Sequence, residues 1–103
     1  MQPEGTKNDE RKFMGQLLGD FSRALIGVAE VGTFGAKKYT RGGWKTVPNA
    51  YQRYYDALWR HLLLANQEQH DYESGLWHLE HAAWNLLAII ELQKKGIESD
   101  ESH

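Results

Sequence analysis

Cysteine is absent from the 103 residues, so a disulfide framework, a thiolate nucleophile and any Cys-ligated zinc or iron–sulfur centre are excluded together. An excess of one charge is lacking too. Twelve Lys and Arg stand against fourteen Asp and Glu, and a net charge of -2 offers no general attraction for nucleic acid or an anionic membrane, so any anion site must be local. Long apolar runs are missing as well. The longest, Ala82 to Leu92, is interrupted by Asn85 and Glu91 and is far short of a membrane span, and residues 1–11 lack the apolar core of a signal peptide. The expectation is a soluble, cytoplasmic protein with neither nucleic acid nor membrane as a partner. A chain of this size buries only about two-thirds of the surface that its unfolded form exposes.

Strand-like alternation and internal repeats are also absent, and helical periodicity takes their place. Residues 1–11 are polar and read as a disordered N-terminal segment, 12–95 as a single helical domain, and 96–103 as an acidic tail. Phe13, Leu17, Leu18, Phe21, Leu25, Val28 and Ala29 follow the spacing of an amphipathic helix to about Gly32. Glycines 15, 19, 27 and 32 each cost roughly 1 kcal/mol there relative to Ala, so the segment is broken, or needs tertiary packing, or is closely approached by another element. Gly35 to Val47 reads as an irregular, positively charged loop. Pro48 suits the first turn of a second helix running to about Glu68. Asp71 or Ser74 would cap a third, ending in Lys94 and Lys95 with Gly96 as its stop. The fold class is all-α: a small bundle of three to four helices, completed by oligomerisation.

Projected as a wheel, the third helix carries an apolar stripe of Tyr72, Leu76, Leu79, Ala83, Leu86, Leu87 and Ile90, read as the core face. Roughly opposite lie Asp71, Ser74, His78, His81 and Asn85, within about 80° of one another. That polar stripe runs into Ala88, Ile89 and Leu92, which predicts a homo-oligomer whose second chain covers it.

His78 and His81, at a spacing of three, can share a metal ion, with His61, Glu68 and Asp71 to complete the set and Glu73 nearby. An imidazole-rich site favours Mn, Co, Fe, Ni or Zn, whereas the carboxylates alone would suit Mg. The competing reading makes the histidines satisfied polar residues at a helix interface. His70-Asp71 invites comparison with metal-dependent HD phosphohydrolases, but a short turn already gives Asp71 a capping role. Lys37, Lys38, Tyr39, Arg41 and Trp44 combine cations, glycine-freed backbone amides and rings able to stack on a base, and Arg60 is a further phosphate candidate. No P-loop motif is present, and a solvated basic connector would have the same composition.

The ordered set Gly35, Ala36, Lys38, Tyr39, Trp44, Arg60, His61, Glu68, Asp71, Glu73, Ser74, Gly75, His78, His81 and Asn85 resembles the N-terminal domain of the phage dATP/dGTP diphosphohydrolase family. Thr40, Gly43 and Gln67 depart from its pattern. The resemblance implies a phage protein that cleaves a purine deoxynucleoside triphosphate to monophosphate and pyrophosphate; joined to the helix faces and the histidines, it gives the expectation of an oligomer in the host cytoplasm that uses a divalent metal. On that reading His61, His78, His81 and a carboxylate from Glu68 or Asp71 hold the metal and Glu73 orients the attacking water. Lys37, Lys38, Arg41 and Arg60 neutralise phosphate charge, beside Tyr39 and Trp44. The paired carboxylates of MazG-like enzymes are missing, which motivates an alternative, a module that binds a nucleotide without cleaving it; a third reading is an interaction protein whose His stripe only cements an oligomer.

Overall fold

A computed structural model describes residues 13–101, with side chains as far as 96; the expected N-terminal segment 1–11 lies outside the described residues. Among the described residues four helices follow one another: α1 (Met14–Gly19), α2 (Ser22–Lys38), α3 (Ala50–Ala65) and α4 (His78–Glu101), with a 3-10 turn at Gly43–Thr46. Among the described residues the only extended pairing is an isolated antiparallel bridge between His70 and Trp77. α4 is the central element and packs on α3 and on α2, while the 3-10 turn joins α2 to α3.

The glycine-rich first segment is both broken and closely approached. It breaks after Gly19, where the amides of Asp20 and Phe21 reach back to Leu17 and Leu18 at 3.3 and 3.0 Å in a tightened last turn. Beyond the break Gly27 and Gly32 face α4: a Cβ at Gly27 would meet the Glu80 carboxylate, and one at Gly32 would lie 3.1 Å from the Trp84 indole nitrogen. Glu80 is held in that position because Oε1 accepts the Trp77 amide at 3.0 Å, the acidic half of a capping box at the start of α4. Here glycine admits a neighbour's side chain.

Several element boundaries differ from those the sequence suggests. α2 continues through Gly35 to Lys38, so the irregular loop is shorter, and Lys37 and Lys38 form its last turn, where cations complement the helix dipole. Pro48 precedes α3 rather than opening it, because Asn49 takes a left-handed conformation (φ 57°) and its carbonyl accepts the first helical bond from Arg53. α3 ends at Ala65 instead of Glu68. At its far end α4 stays helical past Gly96, which does not adopt the positive φ of a glycine stop.

The largest difference concerns α4 itself. It begins at His78, not at Asp71 or Ser74, because residues 70–77 form a small hairpin. The Asp71 amide donates to the Leu76 carbonyl at 2.7 Å, the His78 amide to Gln69 at 2.8 Å, and Gly75 turns the chain at φ 77°. The faces of the helix are also reversed. Its buried arc is His78, His81, Ala82, Asn85, Ala88 and Ile89, joined in the core by Val28, Val31 and His61, while Leu79, Leu86, Leu87 and Ile90 are exposed. Tyr72, expected in the core, is 97% exposed. The polar stripe is therefore covered by the chain's own α3 and hairpin rather than by a second chain. Burying three imidazoles is tolerable because each finds a partner: among the described residues no buried side-chain nitrogen or oxygen lacks one.

Candidate functional site

α3 and α4 bring three histidine rings together. His61 and His81 stack with centroids 4.5 Å apart and planes 10° from parallel, and the His61 and His78 centroids are 5.1 Å apart. His61 Nδ1 lies 2.9 Å from His78 Nδ1. The other nitrogen of His78, Nε2, lies 3.3 Å from Glu68 Oε1. A carboxylate only accepts, so Nε2 of His78 carries the proton and donates to Glu68. His78 Nδ1 then offers a lone pair to its neighbour, and His78 is only 1% exposed.

The hairpin supplies the oxygen side. Asp71 Oδ2 accepts the Ser74 amide at 2.8 Å and the Ser74 hydroxyl at 2.9 Å. Ser74 Oγ lies 2.6 Å from His81 Nε2 and also accepts the Leu76 amide at 3.1 Å. With its proton directed to Asp71, Ser74 Oγ accepts from His81, forming a relay His81–Ser74–Asp71. Asn85 completes the set by donating to the His81 carbonyl at 2.8 Å.

Charge follows from this burial. His61 is pushed down to about 4, mostly by burial, then by repulsion from His81 and Arg60, against the attraction of Asp71. His81 is lowered too, again by burial first, with Asp71 opposing. Asp71 is lowered although burial acts to raise it, because the two bonds from Ser74 and the nearby imidazoles outweigh that effect. The result is neutral imidazole beside anionic carboxylate, the protonation state that ligates a cation. Ligand atoms of His61, Asp71 and His78 lie within 4.8 Å of one another, a set able to hold a metal ion.

His61, Asp71, His81 and Asn85 form part of the wall of a cleft of about 1110 Å³, while His78 is buried and does not line it. Of the sequence-selected residues, Lys38, Tyr39, Arg41, Trp44, Arg60, His61, Asp71, Glu73 and His81 line it. Lys37 does not. Glu68 also stands apart, on a shallow second depression, and touches the cluster only through the far nitrogen of His78, where it can orient that ring. Glu73 sits at the rim, its Oε1 3.4 Å from Lys38 Nζ. Trp44 is fixed from below: its carbonyl accepts the Tyr54 hydroxyl at 2.6 Å, and its ring packs edge-on against Tyr54 and Trp84 at 6.0 and 5.6 Å. Burial, with Tyr39 nearby, raises the Tyr54 phenol above its ordinary value.

Sequence reasoning missed Arg53, Tyr54, Asp56, Trp84 and Tyr72 on the cleft wall. A signal existed for one of them. Arg53 precedes Arg60 by seven residues, two turns of α3, and so shares its face.

The profile of the family described as "dATP/dGTP diphosphohydrolase, N-terminal" matches residues 2–102. A relative from Salmonella phage PMBT28, named dATP/dGTP diphosphohydrolase, is 39% identical over 75 residues, covering 72% of this chain and 25% of the relative. The chain thus spans about a quarter of that protein's length. No solved structure matches. Among the described residues no helix is long and apolar enough to cross a membrane. The match extends from one end of the fold to the other and takes in both the cationic loop and the histidine cluster, so the chain belongs to the dATP/dGTP diphosphohydrolase family, in its N-terminal region.

Proposed function

We propose that this chain binds a purine deoxynucleoside triphosphate in the cleft and hydrolyses its α–β phosphoanhydride, releasing monophosphate and pyrophosphate. The observation that carries the reading is the convergence, in one cleft, of four cations, Lys38, Arg41, Arg53 and Arg60, with His61 and Asp71, behind which the buried His78 completes a set able to hold a metal ion. The cations neutralise phosphate charge in a partly enclosed space, where such charges act more strongly than in water. His61, Asp71 and His78 would hold a divalent ion, with His81 beside them and Glu68 steering His78; that mixed nitrogen and oxygen donor set suits Mn or another transition metal better than Mg. Bound there, such an ion would supply Lewis-acid polarisation of a phosphoryl oxygen. Glu73, at the rim, orients the water whose oxygen attacks phosphorus as the bridging oxygen departs with pyrophosphate. We also propose that the chain forms a homo-oligomer through the exposed apolar face of α4 and acts in the cytoplasm of a phage-infected host.

A second reading, capture of the nucleotide without cleavage, is favoured by one observation: the Lys38 ammonium already engages Glu73. The test is incubation of the purified chain with dATP or dGTP and Mn²⁺ or Mg²⁺, with chromatographic product analysis and metal content measured alongside. Multiple turnovers to monophosphate and pyrophosphate, abolished by chelator and by Glu73→Gln, are expected. Stoichiometric recovery of intact nucleotide would establish capture. Absence of both binding and turnover would overturn both readings.

A further inference from the structure

Tyr72 has no part in holding the fold together. Its 97% exposure compares with 64% for Met14, the next most exposed large apolar side chain among the described residues. Yet it belongs to the wall of the cleft, between Asp71 of the cluster and Glu73 of the rim. An aromatic ring left in water gains nothing from burial within the chain, and a turn residue is usually polar.

The backbone beneath the ring is the opposite of loose. The Asp71 carboxylate holds the Ser74 amide and hydroxyl, the Asp71 carbonyl accepts the Gly75 amide at 2.7 Å, and the His70–Trp77 bridge closes the base of the hairpin. A rigid tip that presents a free ring at a cleft mouth is a stacking platform. Tyr39 is a second half-exposed ring on the same cleft, contributed by the end of α2.

We infer that Tyr72 stacks on the base of the bound nucleotide and sets the preference for purines over pyrimidines. The inference rests on the nucleotide reading of the cleft. A purine presents two fused rings to the phenol and a pyrimidine one, so the overlap, and with it the binding, favours purines without any hydrogen bond to a particular base edge. That accommodates adenine and guanine alike, whose edges differ. The phosphates then face the cations of the same cleft, Arg41, Arg53 and Arg60.

The test is calorimetric titration of the full chain, wild type and variants, with the α,β-methylene analogues of dATP and dCTP and with inorganic tripolyphosphate, in the presence of Mn²⁺. Tyr72→Ala is expected to weaken the dATP analogue about 10-fold or more, to bring it close to the dCTP analogue, and to leave tripolyphosphate unchanged. Tyr72→Phe, which keeps the ring, should bind as wild type does. Thermal unfolding should be unaltered in both, since neither substitution touches a packed contact. Equal affinity of wild type and Tyr72→Ala for the dATP analogue would overturn the stacking role alone. Equal loss of tripolyphosphate would overturn it as well, by pointing to a phosphate role. Failure of the wild type to bind either analogue or tripolyphosphate would remove the nucleotide reading and the inference with it.

Discussion

His61 enters the core as a neutral base, and that choice ties stability to pH. Its ordinary value of 6.5 falls to about 4 in the folded chain, chiefly by burial. Between those values the unfolded chain binds a proton that the folded chain refuses, so stability rises with pH across the interval. The contribution is present in full above about pH 6.5, declines as pH falls, and is lost once pH passes below about 4. One unit of difference corresponds to about 1.4 kcal/mol, so moving from pH 7 to pH 5 should cost about 2 kcal/mol from His61 alone. His81, also lowered, adds in the same direction. The lowered Asp71 is likewise stabilising when charged, but its share is lost only in more acid solution, as pH falls below the usual carboxylate range. Urea unfolding with chelator present at pH 7 and pH 5 measures the slope, and His61→Gln, which keeps hydrogen-bonding capacity without titrating, should flatten it. A wild-type profile that is level over this range would mean that His61 is not held neutral.

The 70–77 hairpin is the element on which the site depends, because Asp71, Tyr72, Glu73 and Ser74 all lie in it. Its turn passes through Gly75 at φ 77°, and a Cβ there would meet nothing within 4 Å, so backbone strain alone opposes substitution. Gly75→Ala should cost about 1–2 kcal/mol, which for a domain of this size lowers Tm by roughly 4–8 °C per kcal/mol. Gly75→Asn should cost less, since Asn tolerates the left-handed region. Thermal unfolding of both variants checks the order, and equal stability of wild type and Gly75→Ala would contradict the turn geometry. This hairpin also marks where the sequence could and could not be read. Helical spacing was legible from Phe13 to Ala29 and along α3, and the ordered set from Gly35 to Asn85 named about half of the residues that line the cleft. The wheel of α4 was legible as two faces, but nothing in periodicity says which face turns inward. Leucine normally decides that question. Here His61 on α3 hydrogen-bonds to His78 and stacks on His81, and these contacts hold the polar arc inside. That information resides in a contact between residues 17 and 20 positions apart in sequence, which a wheel of one helix cannot contain. Asp71 is the same case on a smaller scale: it is a capping residue, as its type suggests, but it caps a turn seven residues ahead of the helix.

Whole-molecule stability follows from that reversal. Among the described residues five apolar side chains are buried, the β-branched Val28, Val31 and Ile89 and two alanines, Ala82 and Ala88, while seventeen large ones are exposed. A core this sparse leaves α4 with an open stripe. Leu79, Ala83, Leu86 and Ile90 recur at intervals of four, three and four, the narrow seam of a coiled coil, with Leu87 at its flank. The occupant that matches such a seam is another helix bearing the same one. A twofold axis near residues 84 and 85 would pair two α4 helices antiparallel, setting Leu79 against the partner's Ile90 and Ala83 against the partner's Leu86. Small then meets large at the centre, and the paired surface is self-complementary. The cleft, on the other side of α4, stays open. Sedimentation equilibrium of the chain should therefore report a dimer or a multiple of one, and the double variant Leu86→Glu with Ile90→Glu should report a monomer. Because both positions are exposed in the single chain, the variant should keep its helical circular dichroism and its nucleotide affinity, which separates dissociation from unfolding. A wild-type chain that stays monomeric at the highest concentration it tolerates would show that the seam serves something other than a second copy.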